Sequence, residues 1–132
     1  MKNIFYLILL FTLLSCNSTK KTTTKNVDLP ENAVRIANDE LEYEIIIIDI
    51  GFDTYLASIA KPMSYYSESS LENKNRFYVT TWNQRARDLT RYNPNIYENI
   101  IDYDFNTHYG LEVNYKLYNY FKFVEYKYHE KF

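Results

Sequence analysis

Asp102-x-Asp104-x-Asn106 spaces three side-chain oxygens two residues apart, as the first ligands of a calcium loop are spaced. The rest of an EF-hand pattern is missing: Thr107 stands where glycine belongs and Val113 where the bidentate glutamate belongs. The same spacing describes the solvent face of a strand, so Asp102, Asp104 and Asn106 form an incomplete calcium set. His108 and His129 are the only histidines. A Ser-His-Asp arrangement can be drawn from His108 with Asp102 or Asp104, but no Gly-x-Ser-x-Gly elbow supports it. His129 reads as a cation at a helix end. Paired histidines and a set of thiols, the usual zinc ligands, are both lacking. Asp49 with Asp53, or Asp102 with Asp104, offers the two carboxylates of a glycosidase, whose separation no sequence reveals. No residue set therefore amounts to a catalytic centre, and none implies a cofactor.

Trp82-Asn83-Gln84-Arg85-x-Arg87 is richer. Helical spacing puts Asn75, Trp82 and Arg85 on or near one face, so any buried amide or guanidinium there must find partners. One reading is a polar ligand pocket with Trp82 as its platform and Tyr65 and Tyr92 as further contacts. The other is a core tryptophan, with Asn75 tied to backbone and Arg85 to an acid. The second reading is the more economical.

Cys16 is the only cysteine, which excludes an intramolecular disulfide. It follows a short positive start at Lys2 and an apolar run from Ile4 to Leu14 broken only by Thr12. Those 11 residues are too short to cross a hydrocarbon core of about 30 Å. They read as the core of a secretory signal peptide. The run ends in Leu13-Leu14-Ser15-Cys16, a lipobox, with cleavage expected between Ser15 and Cys16. The thiol would take a diacylglyceryl thioether. Each buried CH₂ contributes about 0.8 kcal/mol, so two or three acyl chains hold a protein firmly to a membrane. The expected organisation is a signal peptide over 1–15, a lipidated cysteine and tether over 16–30, and one globular domain over 31–132. Residues 17–26 contain no apolar side chain and no acid, and Lys20, Lys21 and Lys25 suit anionic head groups.

The net charge of −2 excludes the basic stripe of a nucleic-acid binder. Fifteen tyrosines resemble an interface composition. Asn, Ile, Lys and Tyr all have A/T-rich codons, however, and a genome low in G and C would enrich them together.

Several elements must position these residues. Val34-Arg35-Ile36 alternates, and Leu41 to Ile47 alternates more clearly, with Ile45 to Ile48 apolar on both faces and so expected to be covered twice. Gly51 ends that strand, and Asp53 can cap a short helix through Ala60 that Pro62 stops. Leu71, Tyr78, Val79, Trp82, Ala86 and Leu89 share a helical arc of about 100°, capped by Ser67, Ser69 or Ser70 and broken at Arg91-Tyr92-Asn93-Pro94. Ile101, Tyr103 and Phe105 alternate with polar residues as a strand does. Val113, Leu117, Tyr120, Phe121, Val124 and Tyr128 fill a last apolar helical arc after Gly110. The expected fold is α+β, a two- to three-stranded antiparallel sheet packed by two longer amphipathic helices and one short helix.

Leu41 to Asp49, Tyr65-Tyr66-Ser67, Trp82-Asn83-Gln84-Arg85, Arg91-Tyr92-Asn93-Pro94 and Tyr109 to Tyr115 resemble a domain-of-unknown-function family of small flavobacterial-type lipoproteins. The likeness runs from about Val34 to Phe132. It implies an envelope lipoprotein and carries no activity or catalytic residue to transfer. In such bacteria, acidic residues after the lipidated cysteine accompany export to the cell surface. Asn17-Ser18-Thr19-Lys20 lacks them, which implies the periplasm-facing leaflet of the outer membrane. The expected role is a non-enzymatic binding or structural module. Its partners would be the membrane, through acyl groups on Cys16, and an envelope protein or glycan. A cell-wall glycan binder is the alternative, and a hydrolase the remoter one.

Overall fold

The computed structural model describes residues 33–132. The expected signal peptide, cleavage site, Cys16 and tether lie outside the described residues. Strand β1 (Val34–Asn38) pairs antiparallel with β2 (Tyr43–Ile47), Ile36 facing Ile45 and Val34 facing Ile47. The turn between them is built by Asn38, whose side-chain oxygen accepts from the amides of Glu40 (3.0 Å) and Leu41 (3.2 Å). An asparagine that satisfies its own turn in this way helps fix the register, and its amide also donates to the Tyr109 carbonyl at 3.0 Å.

Helix α1 (Phe52–Ser58) follows Gly51, whose φ of 95° is a conformation that side chains disfavour. A 3-10 turn (Met63–Tyr65) comes next, entered through Pro62. Helix α2 (Glu68–Ala86) is capped by Ser67, whose hydroxyl accepts from the Ser70 amide. Helix α3 (Leu111–Tyr128) starts after Gly110, at φ 87°. Among the described residues the elements are thus a two-stranded sheet, two long helices and one short one, the α+β arrangement expected.

Helix α3 is the hub, packing on α2, β1, α1 and the 3-10 turn. It buries Val113, Leu117, Phe121 and Val124 from the expected arc, and also Asn114, Tyr118, Asn119 and Phe123. A helix enclosed on several sides must bury more than one stripe, which is why the 100° arc was too narrow.

Three expectations need correction. Ile101 to Phe105 is not a strand in this structure. Ile101 and Tyr103 are buried with Asp102 and Asp104 exposed, so the alternation is real. The hydrogen bonds go elsewhere: Asn83 accepts from the Ile101 amide and donates to its carbonyl, both at 2.8 Å. The side-chain amide takes the place of a neighbouring strand. Helix α2 ends at Ala86, and Leu89 is 46% exposed. Asp88 diverts the chain there, its carbonyl accepting from Arg91 and Tyr92 and its carboxylate from Thr90. Finally, β2 is not covered on both faces. Ile47 is buried, while Ile46 is 39% and Ile48 59% exposed. The sheet lies on α3 through one face only.

Candidate functional site

The tryptophan constellation does not converge on one cavity. Trp82 is 3% exposed and donates its indole N–H to the Asn99 carbonyl at 2.8 Å. Asn75 is fully buried, and its amide donates to the carbonyl (3.0 Å) and side-chain oxygen (3.1 Å) of Asn114. That oxygen also accepts from the Tyr103 hydroxyl at 2.6 Å. Among the described residues the Asn75 side-chain oxygen has no hydrogen-bond partner. Arg85 donates to the Tyr97 hydroxyl (2.7 Å), to Glu130 (3.1 Å) and to the Lys131 carbonyl. Its guanidinium also lies over the rings of Tyr92, Tyr97 and Phe132. Trp82 does border a cavity of about 270 Å³ between β2, α3 and the 95–101 segment, where Asp49, Glu98 and Tyr120 also stand. Burial, followed by the charge of Asp49, pushes the Tyr120 phenol far above its ordinary pKa.

The carboxylate sets are also dispersed. Asp49 accepts from Lys127 (2.6 Å) and from the Tyr128 hydroxyl (3.0 Å), whereas Asp53 is exposed on α1. Asp104 folds back on its own loop, accepting from the Asn106 amide (2.9 Å) and the Thr107 hydroxyl (3.0 Å). Those bonds, the Asn106 amide foremost, hold its pKa below the usual carboxylate value. His108 Nδ1 lies 2.9 Å from Glu72 Oε1, and His129 follows the end of α3 with φ 56°.

Tyr65 leads to a site that the residue pattern did not single out. It borders a pocket of about 560 Å³ enclosed by α1, the 3-10 turn, α2 and α3. Tyr55 comes from α1, Lys61, Tyr65 and Tyr66 from the turn region, Ser67 from the cap of α2, Ser70 and Lys74 from α2 itself, and Tyr118, Asn119 and Lys122 from α3. The rings form a chain: Tyr65 on Tyr66 at 5.1 Å, and Tyr66 on Tyr118 at 5.5 Å. Lys61 Nζ sits 4.0 Å over the Tyr65 ring and Lys74 Nζ 5.5 Å over that of Tyr118. Burial, the largest single influence, pulls the Lys122 ammonium down, but its bond to Glu125 and the surrounding charges of Tyr78, Glu125 and Tyr118 together leave its pKa raised. It stays charged. Burial likewise raises the phenols of Tyr55, Tyr66 and Tyr118, so all three remain O–H groups at neutral pH. The lining is rich in donors and ammonium charge and contains no carboxylate.

Local sequence explains each contribution. Pro62 fixes entry to the 3-10 turn, which sets Lys61 and Tyr65 on one side. Ser67, Ser70 and Lys74 recur at helical spacing on α2, as do Tyr118 and Lys122 on α3. That Lys-Tyr-Ser periodicity was the available signal. It was obscured because each half looks like an ordinary solvated helix face.

No curated protein and no solved structure matches the chain. One family model does, over residues 4–132, so nearly the whole chain falls within its span. On that match the chain belongs to DUF6146, a family of unknown function.

Proposed function

We propose that this protein is a lipid-tethered module of the cell envelope that binds an acid-bearing envelope component in the lysine-tyrosine pocket. The observation that carries the reading is the lining itself: three lysines and four tyrosines around about 560 Å³, with no acid among them. That volume falls within the range of ligand sites, about 300–1,000 Å³. Tyrosine rings give flat apolar area for a sugar or peptide, and ammonium groups select a carboxylate or phosphate upon it. Lipidation of Cys16 is supported by the lipobox, and the family span begins at residue 4, inside the apolar run before it. Among the described residues no helix is long and apolar enough to cross a membrane. An anchor at Cys16 would supply the attachment that these helices do not.

Co-sedimentation of the lipidated full chain with purified peptidoglycan tests both parts. Binding should weaken as salt rises, and the pair Lys61→Ala with Lys74→Ala should lower it at least about tenfold, the loss of roughly 1.4 kcal/mol, with little change in melting temperature. Undiminished binding by that double variant would remove the pocket from the proposal. Mass spectrometry of the mature protein should find acyl groups on an N-terminal Cys16, and an unmodified thiol there would remove the anchor.

A further inference from the structure

A second group of side chains gathers at the start of α2, away from the lysine pocket. Glu68 and Glu72 are one helical turn apart, so both stand on the same face. His108, from the loop before α3, reaches the same place. One donor atom from each of the three lies within 4.8 Å of the other two, and His108 Nδ1 is 2.9 Å from Glu72 Oε1. We propose that Glu68, Glu72 and His108 bind a divalent transition-metal ion, zinc in the first instance.

The chemistry of the set selects the ion. Two carboxylates and a neutral imidazole balance a 2+ charge, and the imidazole favours zinc over calcium or magnesium, which prefer oxygen alone. Donors held about 2.0–2.2 Å from a tetrahedral zinc stand roughly 3.4 Å from one another, so only small side-chain rotations are required. The histidine is held by its loop on both sides. Asp104 ties down Asn106 and Thr107 before it, and the Asp104 amide donates to the hydroxyl of Tyr109 after it, at 2.8 Å. Less ordering is then lost on binding. Arg76, which borders the same cleft, is engaged instead by the Phe105 carbonyl at 3.2 Å and by the Phe105 ring. Glu72 and His108 also border a cleft of about 320 Å³. Three protein ligands beside an open cleft leave a coordination position for water or an exchangeable ligand.

This site is independent of the lysine pocket. Ser70 and Lys74 leave α2 about 120–160° round the axis from Glu68 and Glu72.

The test is calorimetric titration of the untagged, lipidated full chain, stripped of metal, with zinc sulfate alone, and optical titration with cobalt(II). One ion should bind per chain, cobalt should give the absorption bands of a low-symmetry site, and calcium at the same concentration should give no heat. Glu72→Gln and His108→Ala should each weaken zinc at least about tenfold, since losing even an outer-shell partner costs about 10–100-fold. The His108 side chain is exposed and that of Glu72 partly exposed, so melting of the metal-free His108→Ala variant should match the parent. Glu68→Gln serves as a third variant should either of the others fold poorly. No zinc heat, equal affinity for calcium, or zinc binding unmoved by these substitutions overturns the site.

Discussion

Trp82 shows how one side chain can serve packing while resembling a ligand platform. Its ring meets Tyr97 edge-on at 4.9 Å and Tyr120 at 5.5 Å, and its N–H is taken by Asn99. Trp82→Ala should therefore cost about 3–5 kcal/mol, a large share of total stability, read by urea denaturation. A variant of parental stability would contradict the core role. The same reasoning covers Asn75 and Asn114, two fully buried amides: Asn75 donates to the carbonyl and side-chain oxygen of Asn114, Asn114 donates to the Gly110 carbonyl, and its side-chain oxygen also accepts from the Tyr103 hydroxyl. Helical spacing brought Asn75 onto the apolar face of α2 in the sequence. Its partner, 39 residues away, could not be named from there. Arg85 is alike: it needs a partner, and Glu130 is one only because α3 returns the chain.

Among the elements, the instructive case is the segment Ile101 to Phe105. Ile101 and Tyr103 are buried and Asp102 and Asp104 exposed, so the period-2 pattern is kept. A strand also needs a neighbouring backbone, and Asn83 from α2 stands there instead. Asn83→Ala should leave the Ile101 N–H and C=O without partners, at a cost of about 1–3 kcal/mol, and should speed hydrogen exchange of the Ile101 amide selectively. Unchanged exchange would mean that the Asn83 side chain does not protect this amide. The helices were legible because the i, i+3, i+4 pattern is local. Their ends were less so, since Asp88 and its turn compete with α2 for the same carbonyls. Strand β2 shows the limit from the other side: four consecutive isoleucines promise two covered faces, yet only α3 is there to cover one.

Over the whole molecule, α3 gathers a tyrosine-rich core whose phenols resist ionisation. Burial pushes Tyr103 up to about 12, and pushes Tyr43 and Tyr120 higher still. A folded-state pKa above the unfolded value of 10 means that the folded chain holds its protons longer. The associated stability is fully present below pH 10 and is lost as pH rises through the folded values. The fold should thus weaken progressively above pH 10. Tyrosinate absorbance should rise in two stages, the later one, from the buried phenols, together with loss of helical circular dichroism. A single early stage with the helices intact would show the buried phenols to be open to solvent.

Within this chain the sequence alone determined what depends on neighbours a few residues away. The serine cap of α2, the glycine that opens α3 and the helical stripes are all such features, and together with the strand alternation they specify an α+β domain. Tertiary structure decided which distant side chains meet. Lys61, Lys74 and Lys122 share a pocket, and Glu68 and Glu72 meet His108, although each looks like ordinary surface in its own segment. The reason is physical. Backbone hydrogen bonding and side-chain periodicity act over one helical turn, whereas the convergence of charges follows from how α3 packs against everything else, and no local pattern encodes that.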